Sequence, residues 1–411
     1  MKSADRAVTA WLLIVVSCVP ALLPADEPDS AQGEEPVLAG PVKPLANANS
    51  QLTPIDISAF RSGIHHWRDL RDASRFIQVE KIQPSYAVHQ VRAIVDNILL
   101  FQRENGGWPK DYDMTAVLSA EQLARVQATR GNNDTSYDNG NIHSQVEYLA
   151  RAIAQVEEPL WRAACERGLD FVLRSQYGHG GFPQRYPNAC GFPAHITFND
   201  GVMIGALNLL QNAAGGAEHF QWLDPTRRQR AQDAFKQGVT CILRCQIQVE
   251  GQPTGWCQQH DENTFEPRPA RSFELASICP QETTEIVRLL MRQPAASPEI
   301  VRAVDAAVAW LQKSRLQGIR VEKVKSTPVS FVRHDTDLDV VVVADAGAQP
   351  IWARHYEIGS DRPIFAGRDG IKKYELAQIE RERRTGTAWY GGWPQLLIAR
   401  EYPAWRSQLA E

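Results

Sequence analysis

Gly107-Trp108-Pro109, Gly181-Phe182-Pro183 and Gly255-Trp256-Cys257 follow one another at intervals of 74 residues, and Gly392-Trp393-Pro394-Gln395 repeats the theme near the end of the chain. A fixed period marks a repeated unit that cannot bury its apolar face alone and must stack on its neighbours. Each of the first three turns follows a segment with apolar residues at helical spacing. These are Val91, Ile94, Val95, Ile98 and Phe101, then Trp161, Ala164, Cys165, Leu169 and Val172, then Phe235, Val239 and Ile242. The positions i, i+3, i+4 and i+7 share one face of an α-helix. A glutamine closes each segment: Gln102, Gln176 and Gln246. A related run through Val301, Val304, Val308 and Leu311 ends at Gln312.

A second helix series lies between the turns. Asp138-Asn139-Gly140 opens a segment with Val146, Leu149 and Ile153. Asn199-Asp200-Gly201 opens one with Met203, Leu207 and Leu210, and Gln281-Glu282-Thr283 opens one with Ile286 and Leu290. Asn, Asp and Thr start helices well because a side-chain oxygen takes a free backbone N–H. The unit is therefore helix, Gly-aromatic loop, polar turn, helix. It predicts a mainly α fold of repeated helical hairpins, which can stack into a solenoid or close into an α/α toroid; the fourth Gly-Trp-Pro favours closure. Residues 319–358 read differently. The stretches 329–333, 339–343 and 351–356 are β-branched and aromatic, which predicts a small β element near 329–358 beside the helices.

Composition narrows the function. Of 411 residues 43% are hydrophobic and 22% charged, the balance of a globular chain. The 44 Lys and Arg against 48 Asp and Glu leave a net charge of −4, so no nucleic-acid partner is expected. Eleven Trp favour stacking on rings such as sugars. Lys2 and Arg6, the apolar run 10–16 and the small Ala25 make residues 1–25 a signal peptide, with a secreted or periplasmic destination. Val15-Val-Ser-Cys18 also resembles a lipoprotein cleavage box, which would anchor the chain at Cys18; no other membrane contact is expected. Residues 26–50, rich in Pro and acids, read as a disordered linker. Residues 51–411 read as a single catalytic domain, expected to be monomeric. Six Cys remain after cleavage, and their spacing suits buried thiols or disulfides better than zinc.

In a toroid the inner-helix N-termini share one rim. Asp138 and Asp200 read as matching places in successive repeats, meeting at that rim. Each alone would pass for a helix cap, but the adjacent Asn139 and Asn199 exceed what a cap needs. Clustered carboxylate and amide oxygens are hard ligands, suited to Ca²⁺. Arg271, in the stretch 269–274, is expected at the same rim, with Arg354, Arg368 and Lys110 as further cations. With Ca²⁺ they would form a positive cleft on an acidic protein, fit for a chain of carboxylates.

Taken together, Gly106-Gly-Trp-Pro-Lys110, Asp138-Asn-Gly140, Gly180-Gly-Phe-Pro-Gln184, Ile196-Thr-Phe-Asn-Asp200, Trp256-Cys-Gln-Gln-His-Asp261, Pro269-Ala-Arg271, Arg354-His-Tyr-Glu357, Phe365-Ala-Gly-Arg-Asp-Gly370 and Tyr390-Gly-Gly-Trp-Pro394 resemble the pectate lyases of polysaccharide lyase family 10. The resemblance runs in order from about residue 80 to 395. It implies an α/α toroid that cleaves polygalacturonate by calcium-assisted β-elimination, removing the C5 proton and leaving a 4,5-unsaturated product. It implies Asp138 and Asp200 as acids of the calcium or substrate site and Arg271 as catalytic base. Arg354 and Arg368 would bind uronate carboxylates, with Lys110, Asn139 and Asn199 as further substrate contacts. Arginine is normally protonated; the resemblance implies that calcium, Arg354 and Arg368 penalise the charge of Arg271. Tyr137, His143 and Cys279-Pro-Gln-Glu282 depart from the family pattern. Two other readings stand beside it. One is an inverting glycoside hydrolase drawing on Asp138, Asp200, Asp261 and Glu282; the other is a non-catalytic secreted glycan-binding protein.

Overall fold

The segments with a 3.6-residue apolar period are helices in the structure, a computed structural model that describes residues 52–293 and 296–409. The stretches read as a signal peptide and a linker, with Cys18, lie outside the described residues. In chain order the helices are α1 (Arg61–Asp69), α2 (Val91–Phe101), α3 (Ala120–Ala128), α4 (His143–Ile153), α5 (Pro159–Ser175), α6 (Val202–Gly215), α7 (Pro225–Cys245), α8 (Pro280–Met291), α9 (Pro298–Lys313), α10 (Arg381–Gly386) and α11 (Tyr402–Gln408). Helices α4, α6 and α8 form the inner layer, with α6 packed between the other two. Each pairs with the outer helix that follows it: α4 with α5, α6 with α7, α8 with α9. Helix α2 flanks the first pair, and α5 packs on α7. This is the α/α toroid architecture. Ile94, Ile98, Val146, Leu149, Met203, Leu207, Ile242, Ile286, Leu290 and Val304 are all closed off from solvent in one continuous core. Each such side chain contributes about 1.5–3 kcal/mol by leaving water.

The glutamines that end the outer helices tie the repeats together. Gln102 Nε2 donates to the Gly106 carbonyl in its own loop (3.0 Å) and to the Ala164 carbonyl in α5 (2.9 Å). Gln176 does the same with Gly180 and with Ala234 in α7, both at 2.9 Å. Gln246 bonds Thr254 (2.8 Å) and Ala303 in α9 (2.9 Å). The indoles of Trp108 and Trp256 are buried and donate to the carbonyls of Ile98 and Ile242, pinning each loop to the helix before it. The loop backbone meets the next outer helix at Gly106 and Gly180, where φ is +92° and +97°. A Cβ at Gly180 would lie 2.1 Å from the Gln237 carbonyl oxygen, and one at Gly106 would lie 2.4 Å from that of Arg167.

Two expectations change. The fourth Gly-Trp-Pro is not a fourth loop of the repeat. Trp393 is only half-buried, and the motif follows the strand Tyr390–Gly391 and leads into the C-terminal helical turns. Its place is taken by Trp352, whose indole donates to the Leu311 carbonyl at the end of α9 (2.8 Å). The β element also begins earlier. Ile319–Ser330 pairs antiparallel with Asp335–Ala344 in a long hairpin, and Trp352–Ala353 pairs separately with Tyr390–Gly391. The first strand opens with the alternation Ile319-Arg-Val-Glu322 and loses its phase at Lys323, so it is less hydrophobic than the run of four valines at 340–343 and forms a half-exposed ribbon.

Buried histidines make the fold sensitive to acid. His260 is closed off and held neutral. Its Nδ1 faces the Phe265 carbonyl (2.8 Å), and its Nε2 accepts the Cys257 N–H (3.0 Å), so a proton on Nε2 would meet a donor. Burial pushes its pKa down to about 4. Burial, helped by the Arg354 charge, pushes His355 down to about 3. The unfolded chain takes up these protons near pH 6.5, while the folded chain does not, so stability falls as pH drops below 6.5. Each histidine costs about 1.4 kcal/mol per pH unit in that window. Between pH 7 and pH 5 the two rings together are expected to take about 3–4 kcal/mol from stability; His143, which burial pushes down to about 4, adds to the loss, and the raised carboxyl of Asp200 works against it. The check is an NMR titration of the ring protons of His260 and His355, in which midpoints near 6.5 would show that neither ring is held neutral.

Candidate active site

The polar turns that open α4 and α6 carry the first two acids. Neither acid caps its helix: the turns at Asp138–Gly140 and Asn199–Gly201 show no side-chain cap bond, nor do the helix starts behind them. Both turns place a residue in the left-handed region, Asn139 at φ +61° and Asp200 at φ +53°. The two turns therefore align Asp138 with Asn199 and Asn139 with Asp200. This corrects the expectation that Asp138 and Asp200 hold matching places. The order Asp-Asn-Gly in one turn and Asn-Asp-Gly in the other swaps carboxylate and amide between a buried and a half-buried position. Positive φ at two non-glycine residues costs of order 1–3 kcal/mol each and clusters at working sites.

The carboxyl groups of Asp138 and Asp200 nevertheless come within hydrogen-bonding reach of each other. Burial and the Asp138 charge push the pKa of Asp200 well up. Burial also disfavours the Asp138 charge, but Lys110 outweighs it and holds Asp138 below its usual range. A proton is thus shared by the pair unless a cation neutralises it. Lys110 Nζ bonds Asp138 Oδ2, and Gln184 Nε2 bonds Oδ1 at 3.0 Å. Burial works against the Lys110 ammonium, yet Asp138 and Asp111 raise its pKa overall.

The repeat explains this convergence. Lys110, Gln184 and Gln258 each stand three residues after the glycine of a Gly-aromatic turn. Gln258 Nε2 bonds Asn199 Oδ1 (3.2 Å) and Glu282 Oε1 (3.0 Å). Each loop thus delivers one side chain to the rim. Gln184, Gln258 and the buried Asp111, which accepts from Asn139 Nδ2 at 2.6 Å, were not singled out as functional from sequence. The shared offset from the turn glycine was the available signal for the first two.

Arg354 joins the same network. Its Nη2 donates to Asn199 Oδ1 and its Nη1 to Gln281 Oε1, both at 3.2 Å, and Glu282 lies 3.9 Å away. Asn199 also donates to Asp200 Oδ2 at 2.9 Å, so its amide is engaged by protein on both sides. Asn139 instead lines a cavity of about 630 Å³ with Asp200, Gln281 and Glu282. Ser58, Arg61 and His65, in and just before α1, line the same cavity.

Arg271 lies close enough to Asp138 and Asp200 to feel both charges. Glu274, unforeseen from sequence, grips it through Nε (2.8 Å) and Nη2 and accepts its backbone N–H (3.1 Å). Nη1 makes no hydrogen bond among the described residues, and the side chain is 47% exposed. Burial alone would lower the pKa of Arg271, but Glu274, Asp200 and Asp138 outweigh it and hold the guanidinium charged. The electrostatics of the chain by itself thus run opposite to the depression implied by resemblance. Arg368 does not touch the paired acids. It bonds Glu382 and reaches the Arg271 region over the ring of Phe273.

The donor chemistry fits a hard divalent cation. Two adjacent carboxylates need a positive partner, and every donor in the pair is oxygen. Among the described residues no three His, Cys, Asp or Glu side chains form a metal cage, so Asp138 and Asp200 would supply only part of a coordination shell. The hydrolase geometry does not fit this pair. An inverting enzyme needs carboxyl groups about 6.5–9.5 Å apart, whereas these two are in mutual contact. Asp261 is occupied by the N–H groups of Asn263 and Thr264, and Glu282 is buried against Gln258.

The pectic acid lyase family profile matches residues 102–398. Two solved structures are similar. One is an Asp-to-Ala mutant of a family 10 polysaccharide lyase from Cellvibrio cellulosa in complex with trigalacturonic acid. It is 32% identical with a TM-score of 0.65, over 74% of this chain and 90% of that one. The other is a family 10 polysaccharide lyase from Cellvibrio cellulosa, 31% identical with a TM-score of 0.64, over 74% and 89%. No curated protein matches the chain. The repeat, the rim and a family match across most of the sequence lead to one conclusion: the chain belongs to the pectic acid lyase family and is a polysaccharide lyase.

Proposed function

We propose that this protein is an exported pectate lyase that cleaves polygalacturonate by calcium-assisted β-elimination. The observation that carries the reading is the contact pair Asp138–Asp200 within electrostatic reach of Arg271, with Lys110 bonded to Asp138 and Arg354 bonded to the neighbouring Asn199. A galacturonate C5 proton is weakly acidic, and its removal places charge on the adjacent carboxylate. Asp138 and Asp200 would hold Ca²⁺ through their oxygens, and the ion would supply positive charge at that carboxylate. Arg354 and Arg368 bind uronate carboxylates and set the register of the chain. Lys110 balances the rim acids before substrate arrives. Arg271 in its neutral form takes the C5 proton at Nη1, the bond from C4 to the glycosidic oxygen breaks to leave a C4–C5 double bond, and the departing oxygen takes a proton from water. Glu274 fixes the direction in which Nη1 points.

The test uses the optical signature of that double bond. Polygalacturonate is incubated with the protein, and unsaturated product is followed in the ultraviolet. Chelator is expected to abolish the signal and added calcium to restore it. Full activity in excess chelator would overturn the metal assignment. New reducing ends without ultraviolet product would overturn elimination in favour of hydrolysis, and unchanged polymer length would favour a glycan-binding protein.

A further inference from the structure

Phe273 lies two residues beyond Arg271 and is almost wholly buried. Three guanidinium groups gather on its ring: Arg383 at 4.4 Å from the centroid, Arg271 at 5.0 Å and Arg368 at 5.1 Å. They come from three places in the chain: the loop before α8, the turn after the short strand Phe365–Ala366, and α10. The Arg271 and Arg368 side chains are about half exposed, at 47% and 53%, whereas that of Arg383 is 9% exposed. Glu382 bridges two of the three. It accepts from Arg368 Nε and Nη2 (3.1 and 2.9 Å) and from Arg383 Nε and Nη2 (2.8 and 3.0 Å). Glu274 holds the third.

Burying a guanidinium behind two like charges is costly unless the charges are paired and the geometry is used. Here Glu382 pairs the buried Arg383, and the ring face, with its negative quadrupole, attracts all three cations. A third carboxylate, that of Glu380, accepts the backbone N–H of Arg368, so three acids and three guanidiniums meet around the ring. We infer that Phe273, Glu382 and Arg383 are positioning residues that lock Arg271 and Arg368 to a common platform, so that the proton acceptor and a carboxylate-binding cation keep one spacing. The inference rests on the roles given to Arg271 and Arg368 under the proposed function. None of the three positioning residues has to touch substrate.

The platform acts through orientation, so its loss has a kinetic signature. Phe273→Leu keeps apolar bulk but removes the ring face. Glu382→Gln keeps shape but loses the charged bridge, and it serves if the first variant folds poorly. Both are expected to raise KM and lower kcat together, for a fall in kcat/KM of about 10- to 100-fold. Phe273→Tyr, which keeps the ring, is expected to stay within about 3-fold of the parent. Trigalacturonic acid binding, measured by calorimetry, should weaken about 10-fold in Phe273→Leu as Arg368 comes loose. A lower melting temperature with unchanged kcat and KM would show a structural role only and overturn the platform. Failure of the parent protein to form unsaturated product would overturn the proposed reaction instead. In that case unchanged trisaccharide affinity in Phe273→Leu would overturn the platform as well, and weakened affinity would support it.

Discussion

Arg271→Ala is expected to cut turnover on polygalacturonate by about 10²- to 10⁴-fold, the range that a positioned acid or base contributes, while trisaccharide binding changes little. Glu274 occupies Nε and Nη2, and among the described residues only Nη1 is left without a protein partner. Alanine removes that atom and leaves Arg354 and the acid pair in place. Arg271→Lys is expected to be nearly as damaging, because an ammonium on a flexible stem cannot make the two-point contact with Glu274 that aims the guanidinium. The pH dependence has a definite sign. Burial favours loss of the proton, but Glu274 and the charges of Asp200 and Asp138 dominate and hold it on. Neutral Arg271 is therefore scarce at pH 7, and kcat should climb with pH through the alkaline range. A cation on the two aspartates cancels two of the three attractions, which ties the base to the metal proposal. Glu274→Gln removes the strongest of them and should move the rising limb to lower pH. Turnover, trisaccharide affinity and circular dichroism would be measured for each variant. Near-normal turnover in Arg271→Ala would end the base assignment, and a pH profile unmoved by Glu274→Gln would end the account of its charge.

The largest loss of stability is expected from one methyl group at Gly180. Alanine there must accept φ near +97° and place Cβ 2.1 Å from the Gln237 carbonyl oxygen. Left-handed strain costs about 1–3 kcal/mol, and forcing atoms into a packed contact costs about 1–3 kcal/mol more. The obstructing atoms are backbone in the middle of α7, so the helix itself has to move. Gly178→Ala is the control: two residues earlier in the same loop, it has nothing within 4 Å and no unusual φ. Denaturation midpoints should separate the two variants widely. Equal midpoints would show that the loop does not press on α7.

The parts of this molecule written as repetition were readable from the chain. The 74-residue interval, the helical faces and the terminal glutamines all exist because one hairpin is used again, and each has a periodic trace. The rim acids were readable as a pair but one position out of register, since Asp-Asn-Gly and Asn-Asp-Gly look alike until the left-handed residue is identified as Asn139 in one and Asp200 in the other. The fourth Gly-Trp-Pro misled because a turn motif also serves at a strand end, and nothing local distinguishes Trp393 from Trp352 as the ring that seals α9. Phe273, Glu274, Glu382 and Arg383 had no periodic trace. Their meaning lies in contacts between segments roughly 110 residues apart, where one aromatic and several charges read individually as ordinary loop and helix residues.

The glutamine ties all point one way. Gln102 reaches forward to α5, Gln176 to α7 and Gln246 to α9, and in each case the acceptor belongs to the next unit. Dependence in this ring is therefore directional. A unit stripped of its successor loses the outward tie of its glutamine and keeps only the bonds inside its own loop, whereas a unit stripped of its predecessor keeps both. Shortening the protein from the C-terminal side should loosen the rim one loop at a time, starting with the loop that leads to Gln258 and Arg271. Shortening from the N-terminal side leaves the remaining anchors tied. A duplicated hairpin inserted at the front of the series would find its acceptor already waiting, which makes that end the natural place for such a ring to grow.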